Sequence, residues 1–212
     1  MKIAIIGATG FVGPELVKEG VSRGYEITAI ARNTDKVEKA AGVTAVAADV
    51  YDEDVLASAL SGHDAVINSF NAGWTNPNLY NDFLRGSKNI QEAVKKAGVK
   101  RFITIGGAGS LFIDGKQLVD SPQFPKEYYP GASAARDYLN ELRKEDELDW
   151  TFLSPAINLH PGERTGNFRL GTESPVFDSE GKSDISTADL AVAIFDELEN
   201  NQHIKARFTV GY

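Results

Sequence analysis

Residues 2–15 read KIAIIGATGFVGPE, an apolar strand that leads into three glycines and then into a helix. Gly7 permits a tight turn, Gly10 lets the backbone approach a ligand, and Gly13 lets the helix pack closely on the strand. The helix N-terminus adds free N–H groups and a partial positive charge. The G-x-x-G-x-x-G spacing departs from the G-x-G-x-x-G fingerprint, but its place between a strand and a helix is the context that such a motif requires. The stretch predicts a bound dinucleotide, with a glycine turn used only for packing as the alternative.

The composition limits the classes of function. At 212 residues the chain fits one domain, residues 1–212, and its net charge of -8 argues against nucleic acid or an anionic membrane as a partner. The absence of cysteine excludes disulfides, thiolate catalysis and cysteine metal sites, and the three histidines show no metal-ligand spacing, so no metal is expected. No apolar run approaches the roughly 20 residues that span a bilayer, and no leader segment is recognisable. We expect a cytoplasmic protein, either a monomer or a homodimer.

Strand-like and helix-like segments alternate along the chain. Apolar runs typical of strands lie at 3–6, 27–31, 44–47, 65–69, 101–105, 150–154 and 208–210, and helical spacing appears at 15–23, 52–60, 79–97, 132–144 and 188–199. This alternation predicts an α/β fold, a single-domain, Rossmann-like, doubly wound parallel sheet with helices on both faces. Two long segments, about 106–131 and 156–182, interrupt the rhythm and are expected to be substrate loops at the carboxyl edge of the sheet. Ser186 followed by Asp189 is typical of a helix cap.

The residue that follows the second strand bears on the choice of cofactor. An acidic residue there would bind an adenosine ribose, but this chain has Arg32. A guanidinium binds a 2′-phosphate well, so Arg32 predicts NADP(H) in preference to NAD(H). The alternative is a solvated arginine that pairs with the nearby Asp35.

Several segments together resemble the atypical short-chain dehydrogenase/reductase proteins. They are GATGFVG at 7–13, Asp49–Val50, Gly106–Ser110, Ser154–Ala156, Pro161–Gly166 and Arg207–Val210. The resemblance covers essentially the whole chain and is closest to the NAD(P)H-binding group of NmrA-like proteins, biliverdin-reductase-B-like enzymes and NADH-flavin-reductase-like proteins. It implies an oxidoreductase with these cofactor-binding residues: Gly7, Thr9, Gly10, Phe11, Val12, Gly13, Arg32, Asp49, Val50, Ser69, Phe70, Asn71, Gly106, Gly107, Pro155 and Asn158. Asp49 has an alternative interpretation as part of the N-cap of the following helix.

The catalytic residues of the wider superfamily are only partly matched. Its Tyr-x-x-x-Lys pair is missing, because Tyr128 is followed four residues later by Ala132 and Tyr129 by Ser133. A tyrosine without a neighbouring cation has a pKa of about 10 and relays protons poorly near neutral pH. Packing or a lid is therefore the better explanation for Tyr128 and Tyr129. Ser110, which matches the serine of that site, and Tyr129 are the candidate catalytic residues that remain.

Aromatic side chains suggest what the acceptor is. Trp74, Tyr80, Phe112 and Tyr129 provide surface for a flat conjugated molecule such as a flavin or a quinone, although core packing is the better explanation for each of them taken singly. We expect an NADPH-dependent reductase that passes hydride to such a small-molecule acceptor, with flavin as a substrate rather than a prosthetic group. The alternatives are an NmrA-like protein that senses NADP(H) without turnover and a sugar-nucleotide epimerase or dehydratase. The latter chemistry depends on the missing Tyr and Lys.

Overall fold

A computed structural model describes residues 1–212 and contains one large sheet with five helices. The strands are β1 Lys2–Ile6, β2 Glu26–Ala31, β3 Val43–Ala47, β4 Ala65–Asn68, β5 Arg101–Ile105, β6 Phe112–Ile113, β7 Lys116–Gln117, β8 Asp149–Ser154, β9 Asn158–His160, β10 Arg169–Gly171, β11 Asp184–Ser186 and β12 Ala206–Gly211. The helices are α1 Gly13–Ser22, α2 Glu53–Leu60, α3 Leu79–Lys96, α4 Tyr129–Leu142 and α5 Thr187–Asn200. Every predicted strand and helix is present. Helix α4 begins earlier than predicted because Pro130, whose fixed φ suits a first helical turn, lies inside it.

The order of the strands creates a crevice at one edge of the sheet. The order is β10-β12-β8-β5-β4-β1-β2-β3, and all neighbours are parallel except β10 and β12. From β1 the chain proceeds outward through β2 and β3 and then returns to β4 on the other side of β1. The loops that follow β1 and β4 therefore diverge at the carboxyl edge, which is where ligands bind in sheets of this type.

Two hydrophobic layers enclose the sheet, as the predicted fold requires. Alternate residues of β1 point to opposite faces, so that Ile3 and Ile5 pack with α1 and α5 while Ala4 and Ile6 pack with α2, α3 and α4. The predicted cap of the last helix is confirmed, since the Ser186 hydroxyl accepts the backbone N–H of Asp189 at 3.0 Å. No helix is both long enough and apolar enough to cross a membrane.

Short strands occupy the two long segments in which we predicted only loops. Strands β6 and β7 form an antiparallel hairpin, β9 pairs with β11, and β10 extends the edge of the main sheet. The backbone N–H of Phe112 donates to the Glu173 carbonyl at 2.8 Å, so the two segments are also joined to each other. Strands of two or three residues carry too few side chains for a readable hydrophobic pattern, which is why the sequence did not reveal them.

The beginning of the second long segment is fastened to two helices. The Arg164 guanidinium donates to both carboxylate oxygens of Glu19 on α1, at 2.7 and 3.0 Å. One oxygen of the buried Asp189 on α5 accepts the backbone N–H groups of Thr165 and Gly166, both at 2.8 Å. The other accepts the hydroxyl of Tyr212 at 2.8 Å. Residues 164–166 are therefore held firmly against the body of the protein.

Candidate cofactor and substrate site

The glycine loop after β1 is shaped by two positions where a side chain cannot fit. Gly7 has φ +78°, and a Cβ there would lie 2.8 Å from the carbonyl oxygen of Ser69. A Cβ on Gly13 would lie 2.2 Å from the carbonyl oxygen of Gly7. Both distances are far below van der Waals contact. The loop therefore lies directly against the end of β4, and α1 directly against the loop, as predicted for a dinucleotide cradle.

Backbone N–H groups of this loop are available to a ligand. Gly10 donates to the Gly7 carbonyl at 2.9 Å, whereas the N–H groups of Thr9, Phe11 and Val12 make no hydrogen bond within the chain. Val12 caps α1 without a side-chain acceptor, so the helix N-terminus is also open to an external anion. These donors, together with the space that Gly7 and Gly13 leave, fit the pyrophosphate of a dinucleotide.

The ends of β2 and β3 carry the residues predicted to bind the adenosine half. Arg32 is exposed and makes no ion pair, and the N–H of Asp35 donates to the Asn33 side chain at 2.8 Å. The alternative Arg32–Asp35 pair does not form. Asp49 is also exposed, and its side chain accepts the Tyr51 N–H at 3.0 Å, whereas Val50 is buried.

The helix cap that we considered for Asp49 belongs to another residue. Asp52 is the N-cap of α2, and its side chain accepts the N–H of Val55 at 3.2 Å. Asp52 lies immediately before the helix, where a carboxylate can reach an unpaired N–H of the first turn, and Asp49 is three residues too early. The second oxygen of the Asp49 carboxylate makes no hydrogen bond within the chain and can accept one from a ligand.

The three predicted residues after β4, Ser69 to Asn71, lie in different environments. The Ser69 hydroxyl donates to the Ile6 carbonyl at 2.8 Å and ties β4 to β1. The Phe70 ring stacks on Phe83 with 6.1 Å between centroids, so it faces α3 rather than the crevice. The Asn71 side chain accepts the N–H of Gly73 at 2.7 Å. The Phe70 side chain therefore does not line the cofactor crevice, and this residue can contribute only its backbone there.

The ends of β5 and β8 are closely packed where the nicotinamide is predicted to lie. A Cβ on Gly106 would come within 1.8 Å of the Phe152 ring, and the Gly106 N–H donates to the Leu153 carbonyl at 2.9 Å. Gly107 is extended, and Pro155 is buried directly after β8. The Asn158 side chain lies at the surface, where it donates to Asp184.

Ser110 lies in a buried polar cluster that the sequence did not reveal. It is 1% exposed, and its hydroxyl oxygen accepts a hydrogen bond from the Arg207 guanidinium at 3.1 Å. Arg207 is 4% exposed, also donates to the Ser154 hydroxyl at 3.3 Å, and forms an ion pair with Glu173. Burial acts to raise the pKa of Glu173, but its hydrogen bonds and charge interactions with Arg207 and Arg143 together outweigh burial and lower that pKa. The resemblance included Arg207 only as part of the segment 207–210, and its buried contacts were not predictable because it lies within a strand whose pattern is otherwise that of a core segment.

The aromatic candidates fall into exposed and half-buried sets. Trp74 and Tyr129 are exposed, whereas Tyr80 and Phe112 are half-buried. The Tyr80 hydroxyl donates to Asp137 at 2.7 Å, and this hydrogen bond raises the pKa of Tyr80. Tyr128, which was not among the acceptor candidates, is exposed next to Trp74. Trp74 lies on the loop that follows β4, and the two tyrosines lie at the start of α4, so the contact between Trp74 and Tyr128 joins that loop to the helix.

Comparisons with known proteins agree with this geometry. The family model described as NAD(P)H-binding matches residues 7–201, which include the glycine loop and all five helices. A Bacteroides thetaiotaomicron structure named a "putative epimerase" is 43% identical with a TM-score of 0.93, over 100% of this chain and 96% of that one. A "putative NADH-flavin reductase" from Streptococcus pneumoniae is 38% identical with a TM-score of 0.86, over 100% and 99%.

A third structure is equally similar and has a different name. A "putative exported protein" from Burkholderia pseudomallei is 40% identical with a TM-score of 0.88, and the match covers 100% of both chains. The three names differ in the activity and location that they state, whereas all three structures share the fold of this chain. The chain belongs to the NAD(P)H-binding family of Rossmann-fold, oxidoreductase-like proteins.

Proposed function

We propose that this protein is an NADPH-dependent reductase that delivers hydride to a small, flat, conjugated acceptor such as a flavin or a quinone. The observation that carries the proposal is the pairing of two features at one edge of the sheet. The glycine loop after β1 offers the unpaired N–H groups of Thr9, Phe11 and Val12, and the exposed ring of Trp74 lies on the loop after the neighbouring strand β4. The first feature suits a dinucleotide, and the second suits an acceptor with an extended π-system.

Each part of the crevice has a role in this proposal. The loop from Gly7 to Gly13 holds the pyrophosphate, and Arg32 donates to the 2′-phosphate. The adenine lies against Asp49 and Val50, and the adjoining ribose lies near Ser69–Asn71. The nicotinamide is bordered by Gly106, Gly107, Pro155 and Asn158. When bound, the reduced cofactor supplies the hydride, and the chain supplies position and surroundings.

The chain lacks the Tyr-x-x-x-Lys pair that would supply a proton, and this lack favours a flavin-like acceptor. Reduction of an isoalloxazine ring adds one hydride and one proton, and the proton can come from solvent at a ring nitrogen. Ser110 is buried and hydrogen-bonded to Arg207, and no lysine follows Tyr129 at the four-residue spacing. A carbonyl reductase needs a positioned acid, whereas hydride transfer to a flavin needs little acid catalysis. The missing Tyr-x-x-x-Lys pair therefore weakens the case for a carbonyl acceptor more than for a flavin.

The test is anaerobic oxidation of NADPH with FMN, FAD, riboflavin and simple quinones, followed at the nicotinamide absorbance. We expect multiple turnovers with at least one of these acceptors, and no turnover with Gly13→Ala. Consumption no faster than the protein-free blank for every acceptor would overturn the proposal.

The lack of a recognisable acid also favours a second candidate, a protein that binds NADP(H) and senses redox state without turnover. Isothermal titration with the cofactors, combined with the turnover assay, distinguishes the sensor from the reductase. The sensor predicts tight binding of NADPH, or of oxidised cofactor, in a protein that turns over no acceptor. The epimerase activity suggested by the name of the Bacteroides relative ranks below both, because the chain lacks the Tyr and Lys on which that chemistry depends. Conversion of a nucleotide sugar in a screen would reverse this order.

A further inference from the structure

The loop after β4 presents a tryptophan to solvent. Trp74 is 57% exposed, and its ring meets that of Tyr128 edge to face, with centroids 5.6 Å apart and planes at 85°. Part of the indole covers Gly131, where a Cβ would lie 2.7 Å from the ring. One side of the indole is therefore fixed by contacts with the start of α4, while more than half of the residue's surface remains accessible.

Hydrogen bonds hold the loop that carries Trp74. The side chain of Asn71 accepts the N–H of Gly73 at 2.7 Å, and the N–H of Asn76 donates to the Gly73 carbonyl at 3.0 Å. The Asn76 side chain also donates to Asp82 on α3 at 2.9 Å and to the Ala72 carbonyl at 3.3 Å. These bonds lie on both sides of Trp74 in the sequence. The exposed indole is thus a fixed surface and not the end of a loose loop.

We propose that Trp74 determines acceptor specificity by stacking the free face of its indole on an uncharged planar ring. This inference rests on the proposed reductase function and deepens it. Trp74 lies five residues beyond Ser69, so its loop continues directly from the predicted cofactor crevice. Aromatic rings prefer offset-stacked or edge-to-face partners, and because Trp74 is 57% exposed beside Tyr128, its indole has accessible surface on which a further planar ring can stack.

The size of the patch argues for a small molecule rather than a protein partner. The exposed aromatic rings here are those of Trp74, Tyr128 and Tyr129. A stable protein interface requires about 800 Å² from each partner, and three partly exposed rings provide much less apolar surface than that. A flat acceptor of two or three fused rings needs only one such face.

The chain contains two tryptophans, which makes the inference measurable without turnover. Trp150 is 2% exposed and its indole N–H donates to the Glu145 carbonyl, so an acceptor in the crevice cannot contact it. We expect riboflavin, added to the NADP⁺-saturated protein, to quench tryptophan fluorescence to saturation. The same titration of Trp74→Phe should show no saturable quenching, whereas Trp150→Phe should retain it.

Steady-state kinetics test specificity directly. Loss of one aromatic stacking contact predicts a roughly 2- to 12-fold higher KM for riboflavin in Trp74→Leu, with a smaller rise in Trp74→Phe. The NADPH Kd should not change in either variant, since a merely misfolded site would alter both. Ile204→Ala, which removes an exposed apolar side chain just before β12, at the opposite edge of the sheet, is the control and should leave both constants unchanged.

The outcomes separate this inference from the proposed function. Turnover with an unchanged riboflavin KM in Trp74→Leu, or quenching that never saturates in the wild type, overturns the role of Trp74 while the reductase stands. Saturable quenching that depends on Trp74 in a protein without turnover supports the stacking site and overturns the reductase.

Discussion

Replacement of Arg32 by alanine should separate the two nicotinamide cofactors. The guanidinium is exposed at the end of β2 and makes no ion pair, so its removal breaks no contact within the chain. A hydrogen bond to a charged group contributes about 1.5–3 kcal/mol, which corresponds to a roughly 10- to 150-fold change in Kd. Because Arg32 is exposed, screening places the expected loss toward the lower end of that range, about tenfold for NADPH.

Fluorescence titration or calorimetry with NADPH and NADH measures the effect. The Kd for NADH should stay within about twofold in Arg32→Ala, since NADH has no 2′-phosphate for a guanidinium to bind. Lys39→Ala removes another exposed positive charge from the segment between β2 and β3. It therefore controls for the general effect of a lost positive charge on the binding of NADPH. The NADPH loss should also shrink at high salt. Equal weakening of both cofactors, or an effect of Lys39→Ala as large as that of Arg32→Ala, would refute the assignment of Arg32 to the 2′-phosphate.

Three further predictions follow from contacts in the structure. Gly13→Ala places a Cβ 2.2 Å from a backbone oxygen, so calorimetry should show binding of both cofactors lost or severely weakened. The pKa values of Glu19 and Asp189 are lowered, because hydrogen bonds to their carboxylates outweigh the opposing effect of burial. A lowered folded-state pKa stabilises above the unfolded value, so urea midpoints should fall between about pH 6 and pH 3, and less steeply in Glu19→Gln and Asp189→Asn. Ser110→Ala and Tyr129→Phe should each lower kcat with riboflavin less than about tenfold, whereas loss of a true general acid costs roughly 10²- to 10⁴-fold.

The fold was largely predictable because its signals are local. Most long strands are near-continuous apolar runs, and the positive-φ glycines 24, 62 and 98 follow three helices as the stops that the sequence predicts. The edge strand β10 was not predictable, because Arg169–Gly171 includes one large apolar residue and pairs with a segment about forty positions away. Strand pairing of that kind depends on the assembled sheet and leaves no local pattern.

The same distinction applies to the site. The glycine loop is contiguous, so its spacing and its place between a strand and a helix were enough to predict a dinucleotide cradle. The contact of Ser110 with Arg207 joins residues 97 positions apart, and no motif announces it. Side-chain exposure could not be predicted from the sequence either, because nothing local distinguishes the two tryptophans. Trp74 is at the surface, whereas Trp150 is in the core. Sequence could supply the candidate residues, but only the packed structure shows which side chains remain free for a ligand.

The glycine loop has a consequence for the energetics of cofactor binding. Its form is maintained by the chain itself, through the bonds from Gly7 to the Ile30 carbonyl, from Gly10 to Gly7 and from Ser69 to Ile6. A loop that the protein already holds in its binding form loses little conformational entropy when it is engaged. Because nearly all molecules then hold the loop in its binding form, the apparent affinity for the cofactor approaches the intrinsic affinity of that form. Association should accordingly appear as a single step whose observed rate rises in proportion to cofactor concentration.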